Sequence, residues 1–196
     1  MRLFSDFWRY LGQYQHRFLR VLHLTLAALV ILQILNSNGM QFTAEGAISA
    51  GVVAPLFVWM HIGMGCTALV LGLLLTLHCL FSRGLRYFFP YLWGDFSQLK
   101  VDLRTLWQRR LPESAAGGLA PCIQGLGLGA ILLVAGSGFT WFLLWRTGSV
   151  WAPDLKSMHK ALTGLIEAYL VGHGGMALLH FFFWRRNQAK TGSSVV

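Results

Sequence analysis

The sequence predicts an all-α fold, an integral membrane four-helix bundle with both termini cytoplasmic. Three observations predict it. Hydrophobic residues make up 55% of the 196 positions and charged residues only 12%, about half the charged share of an ordinary soluble domain. The mean hydropathy is positive, at +0.54, and the apolar excess is gathered into four continuous runs. The lysines and arginines fall almost entirely outside those runs and on alternate connections. Lipid leaves backbone groups no solvent partner, so a span is a helix or a closed barrel. Continuous runs without strict alternation favour helices.

The first run, about Phe18–Leu35, follows a mixed stretch holding Arg2, Arg9 and Arg17, with Arg20 just inside it. It has no small-residue cleavage site and is long enough to remain as a span, so no cleavable signal peptide is expected. The second run covers about Ala54–Leu80, the third Cys122–Trp145 and the fourth Ala161–Trp184. Each approaches or exceeds the ~20 residues that carry a helix across ~30 Å of hydrocarbon. The connection from Asn36 to Val53 contains no Lys or Arg, and the third connection has only Arg146 and Lys156. Arg83, Arg86, Lys100, Arg104, Arg109 and Arg110 crowd the middle connection, and Arg185, Arg186 and Lys190 follow the last span. Basic residues mark the cytoplasmic loops of a membrane protein. The net charge of +9 therefore reports topology and lipid contact, and argues against nucleic acid as a partner.

Between spans two and three lies a cytoplasmic connection of about residues 82–120. Phe88-Phe89-Pro90-Tyr91-Leu92-Trp93 is an aromatic cluster interrupted by proline. Phe96, Leu99, Leu103, Leu106 and Trp107 then recur at helical spacing among charged residues. That pattern predicts an amphipathic helix lying at the interface, either a lipid anchor or a docking surface for a partner subunit. Asn187–Val196 is expected to lack fixed structure. Cys66, Cys79 and Cys122 form no Cys-x-x-Cys-His, which excludes covalently attached haem and leaves them as small packing residues. With no internal repeat, residues 1–196 read as a single membrane domain.

Seven histidines occur: His16, His23, His61, His78, His159, His173 and His180. An ionisable side chain within a span is costly and marks function by default. His159 and His173 are fourteen residues apart, which returns them to nearly one helix face at a rise of ~21 Å. His61 and His159 lie near the outer ends of spans two and four, whereas His23 and His173 share a deeper level. The depths thus define an outer pair, His61 with His159, and an inner pair, His23 with His173. Each pair draws on two helices, as bis-imidazole ligation of a haem iron requires, so all four are candidate cofactor-binding and iron-ligating residues. Two axial imidazoles leave no open position, which favours electron transfer over oxygen binding. Gly63, Gly65, Gly125, Gly127, Gly129, Gly136 and Gly138 suit close helix packing or the approach of a flat macrocycle. His16, His78 and His180 read as interfacial or capping residues, and His180 is the understudy for His173. Glu167, between the two ligands of span four, reads as a proton carrier or as the partner of a polar neighbour.

The run Lys156-Ser157-Met158-His159, followed by His173, Ala177-Leu178-Leu179-His180 and Phe183-Trp184, resembles the last helix of bacterial cytochrome b561. Val21-Leu22-His23-Leu24 and Met60-His61-Ile62 fall where that family has its first- and second-helix ligands. The resemblance covers all four spans but not the middle connection. That connection is more similar to those in the cytochrome b subunits of nickel-iron hydrogenases, thiosulfate reductases and formate dehydrogenases, which belong to the same superfamily. Met158 and Lys160 stand where bacterial cytochrome b561 usually has Trp and Glu. Lys156 and Lys160 there are candidates to pair with haem propionates.

The resemblance implies two haem b groups, and a quinone as electron donor or acceptor, in a bacterial inner membrane. The expected activity is electron transfer across the membrane between the quinone pool and a partner oxidoreductase. One alternative is a stand-alone superoxide:quinone oxidoreductase, with Lys160 attracting the anion. Another is a haem-free anchor or transporter whose histidines relay protons. Whether the chain is an enzyme by itself is left open. Tyr14, Gln15, His16 and His180 on one side, and Gln41, Thr43, Glu45 and Trp151 on the other, are unranked candidates for a quinone contact.

Overall fold

The computed structural model describes the backbone of residues 2–192 and the side chains of residues 3–188. Its helices are α1 (Arg2–Leu11), α2 (Arg17–Ser37), α3 (Val53–Arg83), α4 (Leu85–Phe88), α5 (Ser97–Trp107), α6 (Leu119–Arg146) and α7 (Ala152–Gly192), with a 3-10 turn over Pro90–Trp93. Four of them, α2, α3, α6 and α7, are long and apolar enough to cross a membrane. Among the described residues the only β-type pairing is an isolated bridge between Phe42 and Ile48.

The four long helices stand side by side in the order α2–α3–α6–α7. Leu22, Leu26 and Val30 of α2 meet Ala68 and Leu75 of α3, Leu128, Ile131 and Val134 of α6, and Ile166 of α7 in one apolar core. Gly72 of α3 faces Ile131 of α6, where an added Cβ would sit in ordinary contact at 3.5 Å. The opposite faces carry Leu32, Val70, Leu74, Leu133 and Val171, each at least half-exposed or nearly so. Such apolar exteriors suit lipid rather than water.

Helix starts follow local chemistry. His16 caps α2 with its own ring. The first turn of α7 contains Pro153 and Asp154, the one shaped for a helix start and the other favoured by the N-terminal end of the helix dipole. The fourth helix accordingly begins nine residues before the expected Ala161. His159 is therefore the eighth residue of α7, level with His61, the ninth of α3. Helix α6 starts on a tertiary cap. Asp102 of α5, only 3% exposed, accepts the Leu119 N–H at 2.7 Å and the Gln98 side-chain amide at 2.8 Å. A buried carboxylate with both oxygens bonded ties the middle connection to the bundle. The amphipathic helix expected there is α5.

Two features differ from expectation. The mixed N-terminal stretch forms α1, which lays Phe7, Tyr10 and Leu11 against Phe181 and Trp184 of α7. Phe7 meets Phe181 edge-on at 5.3 Å, and Arg185 bonds Asp6 at 3.2 Å. A ten-residue helix is too short to hold by itself, so its apolar stripe becomes decisive only once α7 is present. Burial, reinforced by the neighbouring Tyr14, pushes the Tyr10 hydroxyl up to about 12. The tail expected to lack structure continues α7 as far as Gly192; residues 193–196 lie outside the described ones.

Candidate functional site

Six of the seven histidines face another histidine, and four of those do so between the long helices. The rings of His61 on α3 and His159 on α7 stand with centroids 6.4 Å apart and planes at 78°. Those of His23 on α2 and His173 on α7 stand 6.0 Å apart at 86°. The His23 and His173 rings bridge α2 and α7. The pairings are those the depth argument anticipates. His180, seven residues beyond His173, has no imidazole opposite it among the described residues.

The spacing has a chemical meaning. Metal–imidazole bonds are ~2.0 Å long, and a ring centre lies about 1.2 Å behind its nitrogen, so two axial imidazoles put their centroids about 6.3 Å apart. Both pairs match that span. Direct packing of two rings tolerates a broad range, 4.5–7 Å, so distance needs support from the surroundings.

Support at the outer pair comes from hydrogen bonds. His159 Nδ1 lies 3.1 Å from the Val134 carbonyl oxygen and 3.0 Å from Ser137 Oγ. A carbonyl oxygen only accepts, so Nδ1 carries the proton and Nε2 keeps a free lone pair. Fixing the tautomer of a metal-binding imidazole through a backbone carbonyl is the usual role of such a bond. Ser137 Oγ also donates to Val134 O at 2.8 Å, which makes a small polar knot in an otherwise apolar helix. Opposite, Gln33 donates to the His61 backbone carbonyl at 2.9 Å and ties α2 to α3 at that level. Nδ1 of His61 and Nδ1 of His23 are buried without a hydrogen-bond partner among the described residues. Buried polar atoms are seldom left so.

A cleft of about 120 Å³, partly open to the surroundings, adjoins the outer pair and is lined by His61, His159, Gly65, Gly138, Trp141 and Glu167 among others. Space on its wall is tight at Gly138, where a Cβ would lie 2.8 Å from Cε1 of His159, whereas one at Gly65 would meet only the movable end of Gln33, 2.8 Å from Nε2. Gly63, Gly129 and Gly136 are open, with nothing within 4 Å of an added Cβ. Glu167 is on the cleft wall. At the inner pair Tyr169 stacks on His173 at 5.0 Å and 8°, fixing the plane of that ring. The donor set, the facing imidazoles, the fixed tautomer and the adjoining apolar cleft all fit a haem held through two histidines.

The outer mouth is aromatic. Trp141 and Trp145 stack at 5.7 Å, Phe42 meets Trp141 at 6.0 Å, and Trp145 Nε1 donates to the Gly46 carbonyl at 3.2 Å. The connection between α2 and α3 is thereby folded over the outer pair. Lys156 sits with Nζ 3.4 Å from the Phe42 ring centre, a cation–π contact, while Lys160 is exposed. At the other end of the bundle His16 Nε2 and His78 Nε2 lie 3.0 Å apart. The interfacial role expected of each residue did not reveal that they meet, because they are 62 positions apart in the chain. Cys66, Cys79 and Cys122 are all free thiols.

The profile of one protein family, described as prokaryotic cytochrome b561, matches residues 14–191. No curated protein and no solved structure matches the chain.

Proposed function

Because the chain belongs to the prokaryotic cytochrome b561 family, membrane b-type cytochromes of electron transfer that bind haem b, we propose that it carries two haems at two depths. In this reading the whole chain is one di-haem domain. It passes electrons across a bacterial inner membrane between the quinone pool and a partner oxidoreductase. His61 and His159 would hold the outer haem iron, and His23 and His173 the inner one. The observation that carries the reading is the pair of facing imidazole sets, at 6.4 and 6.0 Å, on three helices of one bundle.

Bound haem supplies a one-electron ferric–ferrous couple. The two imidazoles of each pair would hold the iron and leave no place on it for a small-molecule ligand. The Val134 carbonyl and Ser137 keep the proton of His159 on Nδ1 and hold its ring still, which limits rearrangement when charge arrives. Tyr169 holds the ring of His173 still by stacking on it. Apolar walls from Val30, Ile131 and Val134 keep water away and disfavour added charge. The two levels of α7 lie ~21 Å apart, so electrons entering at one end are delivered toward the other. The end bearing α1, α5 and most of the arginines is assigned to the cytoplasm, following the positive-inside rule. Exposed Trp107, Leu103 and Phe96 on and beside α5 suit a lipid anchor or a contact with a partner subunit.

The stand-alone reading, oxidation of superoxide with quinone as acceptor, is favoured by one observation: exposed Lys160 adjoins His159 at the outer mouth. The deciding measurement is a dithionite-reduced minus oxidised spectrum with a pyridine haemochrome count. Two b haems per chain are expected, and a count of one or none refutes the two-centre scheme. Copurification of an oxidoreductase from native membranes supports the subunit reading. Superoxide-dependent quinone reduction by the chain alone would replace it.

A further inference from the structure

His16 closes the N-terminus of α2 with extended backbone angles (φ −70°, ψ 165°), and its Nδ1 accepts the Leu19 N–H at 3.4 Å. A nitrogen that accepts carries no proton, so the proton of the neutral ring is on Nε2. That atom points at Nε2 of His78 on α3, 3.0 Å away. His78 Nε2 therefore accepts, and the His78 proton lies on Nδ1, a donor with no protein partner among the described residues. Two rings from different helices thus form a directed chain: His16 Nε2–H to His78 Nε2, then His78 Nδ1–H outward. Phe18 lies parallel to His16 at 6.2 Å and edge-on to His78 at 5.6 Å, completing an aromatic wall. Phe18, Leu77 and Phe81 are 58%, 48% and 87% exposed, on a flank that meets lipid in the membrane. His16 precedes His23 by seven residues, two helical turns along the same face, or ~10.5 Å. A hydrogen bond this exposed adds little to stability, because water competes for both nitrogens.

We propose that His16 and His78 form the headgroup site and proton relay for a quinone at the basic end of the bundle, beside the inner histidine pair. The proposal rests on the di-haem electron-transfer reading. A quinone headgroup offers only acceptors, and His78 Nδ1–H is the donor that meets one of its carbonyl oxygens. Reducing the quinone to quinol takes two electrons and two protons. The electrons come singly through the inner centre from the partner or the outer centre, and iron carries no proton. For each proton transferred, exposed His16 takes a proton from water at Nδ1, releasing the Leu19 N–H, and gives its Nε2 proton to His78 Nε2 as His78 Nδ1 gives its own to the quinone oxygen. Both rings end neutral, and a flip of each restores the starting tautomers before the second proton. Quinol oxidation runs the same relay backward.

The test uses the holoprotein in lipid nanodiscs, oxidised and then mixed rapidly with decylubiquinol, with haem reduction followed in the α band. His78→Gln removes the relay, and His16→Asn removes it while keeping a good helix cap. Both variants are expected to slow quinol-driven haem reduction by about 100-fold, the scale of lost general acid–base help. Reduction by hexaammineruthenium(II), a one-electron donor without a transferable proton, and the haem count should stay at wild-type values. Should His78→Gln fail to assemble, His16→Asn alone decides. A quinol rate within about two-fold of wild type, or equal slowing with both donors, overturns the proposal. A wild-type protein that exchanges no electrons with quinol at all would instead sink the quinone-linked function on which it rests.

Discussion

Replacing Gly138 by alanine is expected to empty the outer centre and leave the inner one filled. The new Cβ would lie 2.8 Å from Cε1, 3.2 Å from Nδ1 and 3.3 Å from Nε2 of His159. Comfortable contact between such atoms is ~3.5–4.0 Å, so the ring must withdraw by roughly 0.7–1 Å. His159 is held from the same helix by Val134 O at 3.1 Å and Ser137 Oγ at 3.0 Å. Withdrawal takes both bonds to about 3.7–4 Å, beyond hydrogen-bond reach, and forfeits ~1 kcal/mol for each. Ligand distances in metal sites tolerate only about 0.2 Å, so the displaced nitrogen no longer binds iron at full strength. The assay is a pyridine haemochrome count per chain, expected to fall from two to one. Gly129→Ala is the control. Gly129 lies on an exposed face of α6 with nothing near its missing Cβ. That variant should keep both haems and gain ~0.5–1 kcal/mol from a better helix former. If Gly138→Ala retains two haems and an unchanged spectrum, the argument that glycine there makes room for a ligating His159 is wrong.

Further outcomes are expected of other positions. His61→Ala or His159→Ala should each remove the outer haem only, and His23→Ala or His173→Ala the inner only. Redox titration of the remaining band would show one component with one midpoint, the same within each pair. Asp102→Ala strips α6 of its cap and leaves the Leu119 N–H and the Gln98 amide unpartnered; a loss of about 2–3 kcal/mol should appear as a lower thermal midpoint with the haem spectrum intact beforehand. Asp95 accepts from Ser97 Oγ and N–H and pairs with Arg86. The Ser97 side-chain bond is the main reason that its carboxyl titrates below the usual range. A lowered folded pKa contributes stability that is fully present above the unfolded carboxylate value and lost as pH falls through the folded one. The gap in melting temperature between wild type and Asp95→Asn should thus be constant from about pH 8 to pH 5 and close below about pH 4. A gap that instead widened on acidification would contradict that sign.

By itself the sequence determined the parts of this protein that depend on one helix at a time. Four apolar runs of spanning length announce four helices because lipid leaves the backbone no other partner. The fourteen residues between His159 and His173 set two levels on one face because helical rise and turn are constants. Depth then matched each to a histidine on another span, and the structure brings those rings together. Interhelical detail depends instead on packing, which no local rule supplies. His16 and His78 come into contact because α2 and α3 cross the membrane in opposite directions and end at one level. Asp102 becomes a helix cap only when α5 folds back beneath α6, and α1 acquires its shape from Phe181 and Trp184. Which nitrogen of His159 stays free is decided by a carbonyl on a neighbouring helix, 25 residues away in the chain. Tertiary structure alone decides such orientations, since they follow from the rotation of one helix against the next.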